Sequence, residues 1–327
     1  MTAIPVIDLA PLQAGDADAV ASDIDRACRE TGFFYVTGHG VPAVLPARVA
    51  ACAREFFARS DPEKAAIAMP NGGRAWRGWF PLGGELTSGV PDCKEGIYFG
   101  EELRPDDARV RAGLPLHGAN LFPARPPELR DAVLAYMRAV TDVGHLLLRG
   151  VSRALGLDDD WFDRNLTAAP TILFRIFRYP PLPDDAGSTW SVGEHTDYGL
   201  LTILAQDETG GLEVRGPDGW VAAPPMGDAF VVNLGDMLER MTAGRYRSTP
   251  HRVRNAGAGD RLSMPLFLDP AWDAEVRPIP GAAGRDRSRD TDRWDGASVH
   301  AWSGTYGDYL LAKVAKVFPT LAGDVGA

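Results

Sequence analysis

The stretches of sequence that decide this fold are Gly193-Glu-His195-Thr-Asp197-Tyr-Gly199, Pro250-His251-Arg-Val253 and Arg261-Leu-Ser263. The first stretch sets a histidine and an aspartate two residues apart. Side chains at i and i+2 of a β-strand point to the same face, so we expect His195 and Asp197 to reach one ion together. Residues 198–250 separate this pair from His251, which is far enough for the chain to fold back and supply a third ligand.

Two imidazoles and one carboxylate leave the opposite face of a metal ion open. This is the 2-His-1-carboxylate arrangement of non-heme Fe(II) oxygenases. A His-x-Asp tripeptide often occurs by chance, but its combination with Pro-His-Arg-Val and Arg-x-Ser favours a metal site at His195, Asp197 and His251. Because the same ligands can hold zinc, a zinc hydrolase and a non-catalytic binding protein stay open as alternatives.

With these motifs the chain resembles the isopenicillin N synthase-like branch of the Fe(II)/2-oxoglutarate-dependent dioxygenases. The resemblance covers nearly the whole chain, including residues 31–40, 174–180 and 305–310. It implies Fe(II), 2-oxoglutarate and O2 as cofactor and co-substrates, with His195, Asp197 and His251 as the iron ligands. It also implies that a small organic metabolite is oxidised while succinate and CO2 are released.

The resemblance further implies which residues hold the co-substrate. Arg261 and Ser263 would bind the distal carboxylate of 2-oxoglutarate. A planar guanidinium matches a carboxylate, and residues at i and i+2 of a strand point to the same face. Tyr179 would contact the co-substrate or the substrate. Relatives that form penicillin or ethylene keep Arg-x-Ser without using 2-oxoglutarate. An oxidase of the isopenicillin N synthase or aminocyclopropane carboxylate oxidase type, independent of 2-oxoglutarate, is therefore the alternative.

Several side chains are expected near the organic substrate, by resemblance and because aromatic residues suit a partly apolar small molecule. They are Trp76, Phe177, Phe267, Trp302 and Thr305. Hydroxylation is the default outcome, and desaturation or ring formation would use the same iron site. The sequence does not identify the substrate.

The order of elements predicts an α+β fold. A long apolar periodicity over residues 127–155 predicts a scaffold helix, and residues 299–318 predict a closing helix. Residues 170–179 alternate as a strand, with Arg175, Phe177 and Tyr179 on one face. Short strands with Gly/Pro turns after residue 170 are typical of a sandwich or barrel rather than βαβ units. The resemblance likewise implies a double-stranded β-helix (jelly-roll) core flanked by helices. We expect an N-terminal α/β segment, residues 1–120, to pack on a core at residues 121–327 as one compact unit.

Charge and composition exclude several classes of protein. The chain has 327 residues, with 34 Lys+Arg against 44 Asp+Glu and a net charge of −10. Nucleic-acid binders usually present a basic face, so nucleic acid is not an expected partner. No apolar run is long enough for a bilayer and no secretory signal is evident, and the three cysteines form no CxxC motif. We expect a cytoplasmic protein, compatible with a monomer, and a solvated loop at the charge run 284–290.

Overall fold

The computed structural model describes residues 3–87, 89–182, 190–282 and 298–318. The helices in these ranges are α1 (Ala10–Gln13), α2 (Asp18–Glu30), α3 (Val44–Phe57), α4 (Asp61–Lys64), α5 (Ala108–Arg111), α6 (Leu129–Ala154), α7 (Trp161–Asn165), α8 (Asp236–Met241) and α9 (Tyr306–Val317). The strands are β1 (Val6–Asp8), β2 (Phe33–Thr37), β3 (Gly78–Phe80), β4 (Leu86–Thr87), β5 (Val90–Pro91), β6 (Glu95–Gly100), β7 (Pro170–Tyr179), β8 (Val192–His195), β9 (Leu201–Gln206), β10 (Leu212–Gly216), β11 (Gly219–Ala222), β12 (Phe230–Leu234), β13 (His251–Val253) and β14 (Arg261–Ala271). The charge run 284–290 lies outside the described residues.

Two sheets form the core. The larger sheet has the order β1-β2-β12-β9-β14-β7-β6-β3, and the smaller has the order β11-β10-β13-β8. Side chains of both sheets line one cavity, among them Tyr179 and Asn233 from the larger sheet and His195 and Val253 from the smaller one. The two sheets therefore face each other across this cavity, which confirms the jelly-roll core and the α+β class.

Strands of the N-terminal segment extend the larger sheet at both of its edges. At one edge β2 pairs antiparallel with β12, and β1 adds a parallel strand outside it. At the other edge β6 pairs with β7, and β3 pairs with β6. Residues from the first third of the chain thus border the cavity directly, and Phe33, Glu85 and Tyr98 are among its lining.

Helix α6 is the scaffold on which the larger sheet rests. It runs over residues 129–154, close to the predicted 127–155, and its apolar stripe is buried, as Val133, Val140 and Leu147 illustrate. Gly144 lets the helix approach the sheet, since a Cβ there would lie 2.7 Å from Leu268 of β14. This packing fixes the position of β14, the strand that carries the Arg-x-Ser motif.

No helix of the described residues is long and apolar enough to cross a membrane.

The prediction of one closing helix over residues 299–318 is wrong. The structure has a 3-10 turn, Val299–Ala301, and then helix α9. Gly304, with φ +135°, interrupts the chain between them. Thr305 then starts α9 as its N-cap, and its hydroxyl and the Asp308 carboxylate form a reciprocal capping box.

Candidate active site

The two histidines meet because β8 and β13 are neighbours in the smaller sheet. His195 is the last residue of β8 and pairs directly with His251, the first residue of β13. Asp197 does not continue the strand, contrary to the expectation from its spacing. The chain turns after His195, and the Asp236 amide holds the Asp197 carbonyl at 2.8 Å. The turn, rather than strand alternation, aims the carboxylate at the imidazoles.

The three side chains converge on one point. Asp197 Oδ1 lies 4.0 Å from His195 Nε2 and 3.8 Å from His251 Nε2. One ligand atom from each residue can be chosen so that all lie within 4.8 Å of one another, and no other such group occurs among the described residues. These separations suit one shared metal ion.

Backbone carbonyls fix the tautomer of both histidines. Nδ1 of His195 lies 2.9 Å from the Gly193 carbonyl, and Nδ1 of His251 lies 3.2 Å from the Thr249 carbonyl. A carbonyl only accepts, so each Nδ1 carries the proton and each Nε2 presents a lone pair toward Asp197. This is the tautomer that a metal ligand needs.

Asp197 is held as a carboxylate. Its Oδ2 accepts hydrogen bonds from the Thr202 hydroxyl at 2.5 Å and the Asn233 amide at 2.7 Å, which leaves Oδ1 toward the histidines. Burial raises its pKa, but the neighbouring His251 and His195 and these two hydrogen bonds outweigh burial, so the pKa lies below its ordinary value. Burial is the largest cause that lowers the pKa of His251, to about 4. At neutral pH both groups have the protonation state that metal binding requires.

A second polar group lies where β14 and β7 run side by side. Arg261 of β14 pairs with Tyr179 of β7, and the Tyr179 hydroxyl lies 3.1 Å from Ser263 Oγ. The Arg261 side chain is 1% exposed, and its Nε donates to the Gly210 carbonyl at 2.5 Å. Its Nη1 is buried without a hydrogen-bond partner among the described residues. A buried cation with an open donor beside two hydroxyls fits the distal carboxylate of 2-oxoglutarate.

Both groups open into one cavity of about 880 Å³ between the sheets. This volume lies within the range of small-molecule sites. Phe177 and Phe267, both expected near the substrate, line the cavity, and Leu310, Val314 and Phe318 of the C-terminal segment cover part of it. The cavity can therefore hold an organic molecule in an apolar surrounding next to the three converging ligands.

Three other side chains expected at the substrate do not line the cavity. Trp76 is 3% exposed and packs edge-on against Phe318, so the Phe318 ring lies at the cavity in its place. Trp302 packs against Tyr309 on α9. Thr305 uses its hydroxyl to cap α9. The position of Trp76 depends on Phe318, far along the sequence, whereas Trp302 and Thr305 are held by nearby residues of α9.

Sequence reasoning missed several cavity residues. Thr202 and Asn233 orient Asp197, and Arg175, Tyr98 and Lys94 line the walls. Only Arg175 had a sequence signal, because strand alternation places it on the same face as Phe177 and Tyr179.

Gly199 keeps the turn that follows Asp197 compact. A Cβ at this position would lie 1.4 Å from Asp269 Oδ1. The buried Asp269 carboxylate accepts hydrogen bonds from the Leu200 amide and the Tyr306 hydroxyl. We expect Gly199→Ala to lower the free energy of unfolding by about 1–3 kcal/mol, the usual cost of overpacking, and to weaken metal binding by displacing the turn. Thermal unfolding measures the first effect and Fe(II) titration the second. Gly193→Ala is the matched control, since its Cβ would meet nothing closer than 3.6 Å; equal stability of the two variants would contradict this prediction.

Comparison with known proteins agrees with this geometry. Residues 4–125 match the family described as non-haem dioxygenase in morphine synthesis N-terminal, and residues 170–270 match the 2OG-Fe(II) oxygenase superfamily. A probable iron/ascorbate oxidoreductase of Dictyostelium discoideum is 44% identical, with 94% of this chain and 91% of the relative covered. The chain belongs to the Fe(II)/2-oxoglutarate oxygenase family. It is an oxidoreductase of the dioxygenase class that uses Fe(II), 2-oxoglutarate and O2.

Other relatives carry more specific names. A homoarginine-6-hydroxylase of Glycine max is 35% identical over 98% of each chain. A 1-aminocyclopropane-1-carboxylate oxidase of Dictyostelium discoideum is 33% identical, with 97% of this chain and 95% of the relative covered. Among solved structures, a 2OG-Fe(II) oxygenase family protein from Caulobacter crescentus has a TM-score of 0.80 and 28% identity, covering 97% of this chain and 99% of that one.

Proposed function

We propose that this chain hydroxylates a small organic molecule, and that His195, Asp197 and His251 hold the Fe(II) on which the reaction depends. The observation that carries the proposal is the convergence of two imidazole Nε2 atoms and one carboxylate oxygen at the wall of a ligand-sized cavity. Two histidines and one carboxylate are the ligand set of non-heme Fe(II) oxygenases. Family membership supports this set over a zinc hydrolase or an inactive binding protein.

We assign Arg261, Ser263 and Tyr179 to the co-substrate. The buried guanidinium of Arg261 would bind the distal carboxylate, and the hydroxyls of Ser263 and Tyr179 would complete its hydrogen bonds. The Gly210 carbonyl holds the guanidinium in place before any ligand arrives. Preorganisation of this kind lowers the entropic cost of binding.

The chain's own residues bind, orient and exclude water. When bound, iron and 2-oxoglutarate supply oxidation by O2, with succinate and CO2 as co-products. Thr202 and Asn233 keep the Asp197 carboxylate in one orientation, and Phe177 and Phe267 provide an apolar wall for the substrate. None of these roles requires a nucleophilic side chain of the protein.

The proposed iron and co-substrate sites predict a spectroscopic signature. Under nitrogen, Fe(II) and 2-oxoglutarate together should give a weak visible charge-transfer band, because the co-substrate would contact the metal through its keto and carboxylate oxygens. Succinate, which lacks the keto group, is the control ligand and should give no band. A chelator should remove the band, and fresh Fe(II) should restore it. A silent spectrum together with tight zinc binding would contradict the proposal.

A substrate screen scored by succinate release tests the reaction class. Amino acids should be tested first, because relatives are named for homoarginine and 1-aminocyclopropane-1-carboxylate. A hydroxylated product formed in equal amount to succinate would support hydroxylation. Substrate oxidation without 2-oxoglutarate would instead support the independent oxidase type.

A further inference from the structure

A second buried arginine faces the cavity. Arg175 lies on β7 with its side chain 8% exposed, on the same face as Phe177 and Tyr179. Its Nη1 donates to the carbonyls of Phe99 and Phe174, both at 3.2 Å. Its guanidinium carbon stacks on the Tyr98 ring, 3.4 Å from the ring centroid. These contacts fix the position of the cation but do not neutralise its charge.

No carboxylate of the described residues lies within 4.0 Å of this guanidinium, which instead contacts backbone carbonyls and an aromatic ring. Asp269 also lines the cavity, but its oxygens accept from the Leu200 amide and the Tyr306 hydroxyl. Burial raises the pKa of Asp269 to about 7, which weakens it further as a counter-charge. A buried charge without a partner is costly, so a ligand that supplies the missing charge would be favoured.

Neighbouring residues strengthen this positive potential. Arg77 is 3% exposed, and no carboxylate of the described residues pairs with it within 4.0 Å. Burial and the charge of Arg175 lower the pKa of Arg77 to about 9. Lys94, a buried cation of the same wall, already has two carboxylates, Asp92 at 2.5 Å and Glu85 at 3.0 Å. At this end of the cavity, Arg175 and its neighbour Arg77 therefore carry charge that no described carboxylate pairs with within 4.0 Å.

This end of the cavity is separate from the co-substrate end. Tyr179, opposite Arg261, stands four residues beyond Arg175 on the same strand. Four residues of β-strand span roughly 13 Å, and each guanidinium lies over the ring of the residue paired with it across the sheet, Arg175 over Tyr98 and Arg261 over Tyr179. Phe177 and Phe267 line the cavity along with both arginines. One cavity thus offers two separate sites for anions.

We propose that Arg175 binds a carboxylate of the organic substrate, so that the substrates of this chain are carboxylic acids. Tyr98, Phe177 and Phe267 would pack on the carbon skeleton. The inference rests on the proposed function, because it requires that the co-substrate take the Arg261 end.

The proposal is tested by calorimetric titration under nitrogen, with protein that already holds Fe(II) and 2-oxoglutarate. The probes are acetate, hexanoate, 3-phenylpropanoate, L-phenylalanine and L-arginine, each compared with its primary amide, which has the same size but no charge at that end. The variants are Arg175→Met, which removes the charge, and Arg175→Lys, which keeps it. Arg26→Met on the exposed face of α2 is the matched control.

We expect at least one acid to bind the wild type at least about tenfold more tightly than its amide, as for a lost charge-assisted hydrogen bond. Arg175→Met should abolish this preference, Arg175→Lys should keep part of it, and Arg26→Met should leave it unchanged. Affinity for 2-oxoglutarate should stay within about twofold in all variants. If Arg175→Met does not fold, the acid–amide comparison on the wild type and Arg175→Lys still decides.

Three results would overturn the inference: acids and amides binding equally, Arg175→Met keeping the preference for acids, or no acid binding at all while 2-oxoglutarate binds normally. A wild type that binds no 2-oxoglutarate would instead refute the proposed function. That failure would be visible before any acid is added.

Discussion

Replacing Asp197 with alanine is expected to abolish oxidative turnover and to weaken Fe(II) binding at least about 100-fold. The substitution removes the only carboxylate of the converging group, and residues that merely orient metal ligands already cost 10–100-fold when changed. It also leaves the buried Thr202 hydroxyl and Asn233 amide without their acceptor. Fe(II) titration under nitrogen and succinate release measure the two effects.

Asp106→Ala, at an exposed aspartate that pairs with Arg104, is the matched control and should behave as the wild type. Asn233→Ala should give an intermediate loss of iron affinity, because Asp197 keeps its hydrogen bond from Thr202. Normal turnover in Asp197→Ala would mean that a different carboxylate binds the iron.

Replacing Arg261 is expected to have the second-largest effect. Arg261→Met should weaken 2-oxoglutarate binding at least about thirtyfold, corresponding to ~2 kcal/mol, the lower end of the cost of removing one partner of a buried charge pair. Iron affinity should change little, since Arg261 lies on β14, whereas the ligands come from β8, the turn after it and β13. Calorimetry with 2-oxoglutarate on the Fe(II)-loaded protein measures the change.

Arg261→Lys separates charge from geometry. Lysine keeps the positive charge but loses both the fork and the hydrogen bond to the Gly210 carbonyl, so we expect an intermediate affinity. Arg26→Met again serves as the control. If 2-oxoglutarate bound equally well to Arg261→Met, the assignment of Arg261 to the co-substrate would be lost.

Local patterns of the sequence were informative where periodicity is strong. The helix predicted over residues 127–155 runs from Leu129 to Ala154, and the strand predicted over residues 170–179 has those bounds. Helix α6 repeats its apolar positions over many residues, so the face that it buries was already determined, whereas β7 is buried on both of its faces. The C-terminal helix was predicted too long because the break at Gly304 interrupts an otherwise helical pattern.

The metal motif shows a different limit. The spacing of His195 and Asp197 indicated the correct pair, but the expected strand geometry was wrong, because β8 ends at His195 and a turn aims the carboxylate. Trp76, Trp302 and Thr305 were expected at the substrate by resemblance, yet each packs or caps elsewhere. An aromatic side chain carries the same local signal whether it lines a cavity or fills a core.

The sequence by itself determined the chemical types present: two imidazoles and a carboxylate, an Arg-x-Ser pair, and alternating strands typical of a jelly roll. Only the tertiary structure decided which atoms meet. It brought β8 against β13, left Arg261 Nη1 without a hydrogen-bond partner among the described residues, and kept every described carboxylate more than 4.0 Å from Arg175. Residue type and spacing are properties of the chain, whereas burial and the absence of a counter-charge depend on what distant segments place around a group.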